Sequence, residues 1–576
     1  MFLLEAELGA TAIAIACAFA WPGSASAWFA RLEKLFAQLA RRKALAVIVT
    51  GVTVVLLRLA ILPWFPVPFP FTNDDFSFLL AADTFAHGRL ANPTPVMWTH
   101  FESIHISMQP TYQSMYFPGQ GLVLAAGKVM FGNPWIALLI LSGVFCATLC
   151  WMLQAWLPPN WALLGGLLAV VRLGLLSVWI NTYSTGGSIA ALGGLLVLGS
   201  LPRLLRTAQM RYALLMGLGI SILVLTRPYE GLLLCLPTAV ALFRWIFTGK
   251  NRPPAAVLVR LAAPSLALVF TALAWLAYYD YKAFGKATTL PYTINRSTYA
   301  MAPYYIWQSP RPEPSYRHAA IRIFYEKELS DFEQIHSLAG FVPRTLYKVV
   351  FVFFFYAGFA LLPPLIMVRR AFLDRRIRFI VACLLVLAAG MLVESFLLPY
   401  YLAPFTGAFY GIGLQMMRHL RRWRPERRPV GLAIVRLTVA VCFLMAALRI
   451  AAEPLGLASI YREPLGWNFT WIGPEHFGGE RAQIESQLHQ LPGGQLVIVR
   501  YSPHHKLTGD WVYNPADIDH AKVIWARDMG AAENSDLIRY YRDRTVWLVE
   551  PDSNPIRVMP YPLTAAGAAA RLSGSR

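Results

Sequence analysis

Long apolar runs, each broken by a short polar or basic interval, recur along most of this 576-residue chain. Leu45–Pro63, Trp135–Trp156, Trp161–Ile180, Gly187–Leu201, Tyr212–Leu225, Gly231–Thr248, Leu258–Tyr279, Leu346–Val368, Phe379–Leu398, Ala403–Met417 and Val430–Leu448 all read as helices. With one more apolar segment before Trp28, they predict about eleven or twelve membrane helices, each near the length that crosses a hydrocarbon core. Past Glu453 the pattern changes. Leu496–Tyr501, Val523–Trp525 and Thr545–Val549 are short β-type runs, with Glu480–Gln490 and Asn534–Tyr541 reading as helices between them. The expected fold is mostly α: a polytopic transmembrane helical bundle carrying a small C-terminal α/β domain. That domain spans 453–576 and ends in an Ala/Gly/Ser-rich tail, Thr564–Arg576, expected to be disordered.

Composition fits this pattern: 57% of residues are hydrophobic and only 14% charged, about half the charged share of a soluble domain. The net charge of +20 would suggest nucleic acid if it were spread over one surface. It is not. Arg31–Lys43, Arg203–Arg211, Lys250–Arg260, Arg369–Arg378 and Arg418–Arg428 hold 22 Lys/Arg and 3 Asp/Glu, a balance of +19. Each adjoins an apolar run, so these segments read as cytoplasmic loops under the positive-inside rule, and no nucleic-acid partner is expected. The six cysteines all lie inside apolar runs, and no disulfide framework is inferred.

Placing the basic loops inside orders the rest. Residues 1–44 form an N-terminal helix and a basic cytoplasmic segment, and 45–452 form the transmembrane domain. Ser24–Ala27 resembles a signal-peptidase site, but the segment before it carries Glu5 and Glu7 and no Lys or Arg, so an uncleaved helix is expected. Two long loops, 64–134 and 280–344, fall outside, as does the C-terminal domain. The apolar stretch Phe117–Gly132 holds Gly119, Gly121, Gly127 and Lys128, and counting it as a span would reverse every later loop; it reads as a helix on the outer membrane surface. The chain is placed in the inner (plasma) membrane as a multi-pass protein.

The outer side then collects the residues suited to chemistry. The first loop opens with Asp74-Asp75 just beyond a helix end. Either carboxylate suits a general base, and Asn73 or Asp74 equally suits the N-cap of a following helix. Glu102 and His105 have a spacing that fits one helix face or a divalent metal, although no cofactor is required by the sequence. Tyr183 lies in a polar Gly-rich turn, and Glu394 and Tyr400 end one helix and open another. Thr226-Arg227-Pro228-Tyr229-Glu230 breaks the chain at its proline; Arg227 suits a phosphate, or a pair with Glu230 that closes the turn. Lys282 and Arg296 are further cations in the second loop, where Asp280–Pro343 holds seven basic and six acidic residues, nearly balanced.

Together, Asp74-Asp75, Phe117-Pro118-Gly119-Gln120-Gly121 with Phe131-Gly132, and Tyr400-Tyr401-Leu402-Ala403-Pro404 resemble the GT-C glycosyltransferases. The nearest group is the protein O-mannosyltransferase and lipid A aminoarabinose transferase superfamily. The resemblance covers roughly Leu45–Met417 and departs from the usual pattern in its Asp-Asp pair and single proline. It implies an enzyme that transfers a sugar from a polyprenyl-phosphate donor to a lipid, glycan or protein acceptor. Asp74 or Asp75 is then the catalytic base, Arg227 with Arg296 or Lys282 holds the donor phosphate, and Glu102, His105, Tyr183, Glu230, Glu394 and Tyr400 are substrate-cavity candidates. The rivals are a flippase of lipid-linked glycans, which predicts internal repeats and midplane charges, and a membrane scaffold that presents the C-terminal domain.

Overall fold

The structure, a computed structural model, describes residues 2–24, 26–248, 253–452, 454–456, 478–506 and 509–562. The tail 564–576 lies outside the described residues. Among the described residues nine helices are long and apolar enough to cross a membrane, and two shorter apolar helices accompany them. Lys43–Ala60, Pro134–Trp156, Gly187–Thr207, Pro228–Phe247, Ala255–Phe284 and Val430–Ala452 fall where the apolar runs place them. Proline sits at the first turn of several, where a missing amide costs nothing and the fixed φ suits the helix.

Two expected spans differ. The run Trp161–Ile180 is not one helix. It is Pro159–Ala169, a π-helical turn Val170–Gly174, and a short helix Val178–Asn181 that Ser177 caps. The wider turn carries Arg172, which reaches the carbonyls of Phe354 and Phe355 and lies 3.8 Å from Glu7. A guanidinium in an apolar bundle needs such partners, and the distorted backbone delivers it to them. The run Leu346–Val368 is also cut short: its helix spans Leu338–Tyr356, and Gly358 at φ +66° then turns the chain into 3₁₀ turns Phe359–Leu361 and Pro363–Met367. Pro363-Pro364 offers no amides to continue it.

Glu7 is fully buried in the first helix, Phe2–Ala20. It accepts a hydrogen bond from the Ala360 amide at 3.0 Å and lies 4.0 Å from Arg449 of the helix Val430–Ala452. The basic segments gather at one end of the bundle: Glu33 pairs with Arg421 and Arg436, and Arg206 reaches the carbonyl of Ala155. The stretch Phe117–Gly132 is a helix, Pro118–Phe131, capped by Gly132, with Val129, Met130 and Phe131 exposed at its end. It packs on the helix Asn73–Ala86 at the opposite end of the bundle.

The C-terminal region forms a four-stranded sheet. β3 (Gly494–Val499) is central and pairs in parallel with β4 (Val523–Arg527) and β5 (Arg544–Glu550); β6 (Arg557–Pro560) runs antiparallel to β5. Two short strands much earlier in the chain, β1 (Ile106–Ser107) and β2 (Gln113–Ser114), form a small antiparallel ribbon in the first long loop. Side-chain alternation sorts the two faces of the sheet. Leu496 and Ile498 meet the helix Ala531–Tyr540 together with Leu80, Phe101 and Tyr112 of the loop, while Val497 and Val499 meet the helix Gly479–Gln490. Polar ties fasten this seam: Asp83 accepts from the Ala516 amide at 2.7 Å and pairs with Lys128, and Arg527 joins Asp510, which Ser103 also reaches.

Gly119 allows the surface helix to touch the bundle. A Cβ there would stand 2.3 Å from the Thr226 methyl and 2.8 Å from the Leu225 carbonyl oxygen. Gly119→Ala is expected to cost about 1–3 kcal/mol through overpacking, read as a lower thermal midpoint of the detergent-solubilised protein; an unchanged midpoint would show that the two elements can separate freely.

Candidate active site

The chain leaves the helix Lys43–Ala60 and re-enters helix at Asn73. The N-cap is Thr72, not Asn73 or Asp74 as the sequence suggested. Its hydroxyl accepts from the Asp75 amide at 3.2 Å, and Asp75 at the third helical position returns a bond to the Thr72 amide at 3.1 Å. This is a capping box, two orphan amides satisfied reciprocally. The Asp75 carboxylate also accepts from the Phe71 amide at 3.2 Å and the Tyr183 amide at 2.9 Å. Asp75 is thus consumed by backbone and faces the Gly-rich turn, whereas Asp74, one residue earlier, faces a cavity.

The first loop presents two partners to Asp74. Ser77 on the same helix holds the His105 carbonyl at 2.7 Å and the Ser114 hydroxyl at 2.8 Å, which anchors both sides of the β1–β2 ribbon. His105, at φ +64°, and Tyr116, stacked on Phe78 at 4.3 Å between ring centres, then both hydrogen-bond the Asp74 carboxylate. Burial pushes the Asp74 carboxyl up, but His105, Tyr116 and the nearby Arg227 charge outweigh it and hold it below its ordinary value. Burial raises Asp75 against the pull of its amides.

The cavity, about 650 Å³, lies at the bundle end away from the basic segments. Arg227 stands across it, at the break between helices Met210–Thr226 and Pro228–Phe247. Its guanidinium donates to the Thr185 carbonyl at 3.3 Å and lies 4.3 Å over the Tyr401 ring and 5.8 Å over Tyr400. Its charge and that of Glu230 act on each other across the turn without a direct ion-pair contact. Aromatic faces hold the cation while leaving its other N–H groups available. Glu230 and Glu394 line the cavity's far side; both are buried, and Glu394 leaves one carboxylate oxygen without a hydrogen-bond partner.

The remaining candidates separate. Arg296 lines the cavity but is engaged by Glu328 at 2.7 Å and by the Ala302 carbonyl. Lys282 is exposed beside Tyr278 and does not line the cavity. Glu102 turns the other way from His105: it accepts from Tyr299 at 2.9 Å and lies 3.4 Å from His318. The pair does not share a helix face, because no helix spans them: the 3₁₀ turn Trp98–Phe101 ends before Glu102, and His105 lies in the turn that follows. Tyr183 serves the frame, donating its amide to Asp75 and its hydroxyl to the Pro68 carbonyl at 3.1 Å. Tyr400 is buried beneath Arg227. The sequence reading missed Lys348, which lines the cavity from a spanning helix and donates to the Glu394 and Met391 carbonyls. A lysine at the start of an apolar run reads as an interfacial anchor, and only the fold turns it inward. Among the described residues no three His, Cys, Asp or Glu side chains come together as metal ligands.

The fold and cavity define a polytopic membrane protein with an ionised carboxylate and a guanidinium facing one another at one end of the bundle. No family model matches the chain, and no curated protein matches it by sequence. Among solved structures it is similar to ArnT from Cupriavidus metallidurans bound to undecaprenyl phosphate, at 12% identity and TM-score 0.43 over 92% of this chain and 93% of that one. It is also similar to the Archaeoglobus fulgidus oligosaccharyltransferase in complex with Zn and sulfate, at 12% identity and TM-score 0.44, over 88% of this chain and 67% of that one. Likeness at this level concerns general course alone and says nothing of substrate.

Removing the Thr72 hydroxyl leaves one amide unsatisfied, and Thr72→Ala is expected to lower stability by about 1 kcal/mol. Asp75→Ala strands the amides of Phe71, Thr72 and Tyr183 and is expected to cost more, about 1–3 kcal/mol for each amide left buried without a partner. Thermal unfolding of the two variants checks the order; a smaller loss for Asp75→Ala would place the weight of the turn elsewhere.

Proposed function

We propose that this protein is a glycosyltransferase that moves a sugar from a polyprenyl-phosphate donor to an acceptor hydroxyl or amine on the outer side of the inner membrane. The observation that carries the reading is the shared cavity of Asp74 and Arg227: a carboxylate hydrogen-bonded by His105 and Tyr116, and a guanidinium close enough to act on it that makes no direct ion-pair contact among the described residues. A cavity of this size is in the range of small-molecule sites.

In this reading the donor phosphate sits on Arg227, over the Tyr400 and Tyr401 rings. Asp74 takes the proton from the acceptor as the acceptor's lone pair attacks the anomeric carbon. The bond from that carbon to the phosphate oxygen breaks, and the lipid phosphate leaves with the electron pair. Negative charge grows on the leaving phosphate, where a preorganised cation helps most. One direct displacement inverts the anomeric carbon. His105 and Tyr116 aim the Asp74 carboxylate, and Glu230 and Glu394 are the groups placed to meet sugar hydroxyls. Asp75, though part of the same dipeptide, is assigned to the frame, and Arg296 and Lys282 lose their phosphate role to Arg227.

A radiolabelled polyprenyl-phosphate sugar and membrane extract as acceptor source test this. Asp74→Asn is expected to lower transfer about 10²–10⁴-fold, the usual share of a general base, while Arg227→Ala abolishes it and Arg227→Lys restores a part. Wild-type protein that moves lipid-linked sugar across vesicles without transferring it would sink the reading in favour of a flippase. The pH profile gives a second check. Because Asp74 is held below its ordinary value, transfer should persist through mildly acidic pH and fall only as pH drops through that lowered value. His105→Ala removes the strongest lowering influence and should move the acidic limb to higher pH; a limb that stays put would free Asp74 from the role.

A further inference from the structure

The basic segment after the first helix is itself a helix, Ser26–Arg41. Trp28, Phe29, Leu32, Leu35, Phe36 and Leu39 recur at the spacing of one helical face, and Arg31, Glu33, Lys34 and Arg41 take the rest. Only Ala40 of this helix is buried, and Trp28 and Leu35 are 58% and 63% exposed. The helix lies along a groove of about 930 Å³ walled by Trp161 and Leu164 of the helix Pro159–Ala169 and by Val439 and Phe443 of the spanning helix Val430–Ala452. Lys34, Arg421, Arg436 and Glu33 line the same groove. Glu33 is shared between Arg421 at 3.0 Å and Arg436 at 2.9 Å, and Lys34 closes no ion pair among the described residues. Three cations therefore meet one carboxylate. Arg436 is on the second turn of a spanning helix with its side chain only 11% exposed, where an uncompensated positive charge is costly.

We propose that this groove binds an anionic phospholipid of the bilayer, with acyl chains against Trp161, Leu164 and Phe443 and the headgroup phosphate between Lys34, Arg421 and Arg436. Two properties select that occupant. The walls belong to apolar helices of the bundle, so the groove opens to hydrocarbon, which suits acyl chains. The excess of positive charge at the polar rim calls for an anion at headgroup depth. The donor lipid is not the occupant, because the groove lies among the basic segments, across the bundle from Asp74 and Arg227. The inference is independent of the transfer chemistry. A lipid seated here would hold the amphipathic helix to the bundle, so that stability follows the charge of the surrounding membrane.

The full-length protein in vesicles of phosphatidylcholine, with and without phosphatidylglycerol, tests it. Binding to the folded state alone raises the unfolding midpoint, so phosphatidylglycerol should raise it by a few degrees. Lys34→Gln, which breaks no ion pair, should remove a clear part of that rise, and Lys34→Gln with Arg436→Gln nearly all of it. The comparison is the difference between the two vesicle types within each variant, so any loss of basal stability in Arg436→Gln cancels. Equal midpoints for wild-type protein in both vesicles, or a full rise retained by the double variant, would overturn the proposal.

Discussion

Three backbone amides converge on the Asp75 carboxylate, and the rest of the site hangs from that point. Two come from the chain entering the helix Asn73–Ala86, and the third, from Tyr183, belongs to the break between two distant apolar helices. A turn at the edge of a membrane cannot leave amides bare, since neither lipid nor a packed interior offers them partners. One carboxylate satisfies all three and so locks the first helical turn against the bundle. Asp74 precedes it by one residue and inherits a fixed direction. The acidic dipeptide divides its labour by geometry: one carboxylate builds the turn, and its neighbour is left for the cavity.

The apolar runs were legible because crossing a bilayer demands length and composition together, and both are visible in a string of residues. Their ends were less so. The run Trp161–Ile180 reads as one span because Arg172 looks tolerable among leucines; its partners, Glu7 and the carbonyls of Phe354 and Phe355, lie far away in sequence. The strands β3, β4 and β5 were legible as short β-type runs, a local signal, whereas the central place of β3 depends on long-range pairing.

In the site, Asp74, Arg227, Glu230 and Glu394 were recognisable as polar groups at apolar boundaries, and the fold brings them to one cavity. What could not be read was which member of a motif faces inward. Asp74 and Asp75 differ only in their place relative to Thr72, and Thr72 acts as the cap only because the chain enters extended from Pro70 and Phe71. Glu102 and His105 look paired by spacing, yet no helix spans them, and one meets Tyr299 while the other meets Asp74. Arg296 advertises the same charge as Arg227, and only the folded position of Glu328 shows that its charge is already taken.

The burial of Glu7 has a consequence for assembly. Its carboxylate lies in the helix Phe2–Ala20, while Arg172, and Arg449 of the helix Val430–Ala452, come much later in the chain. Until those arrive, the nascent membrane protein carries an acidic group with no counter-charge in hydrocarbon, which disfavours a settled first span. Seating that helix is therefore completed only when Arg172 and Arg449 are in place beside it. The helix Phe2–Ala20 acts less as a self-sufficient anchor than as a closing wedge.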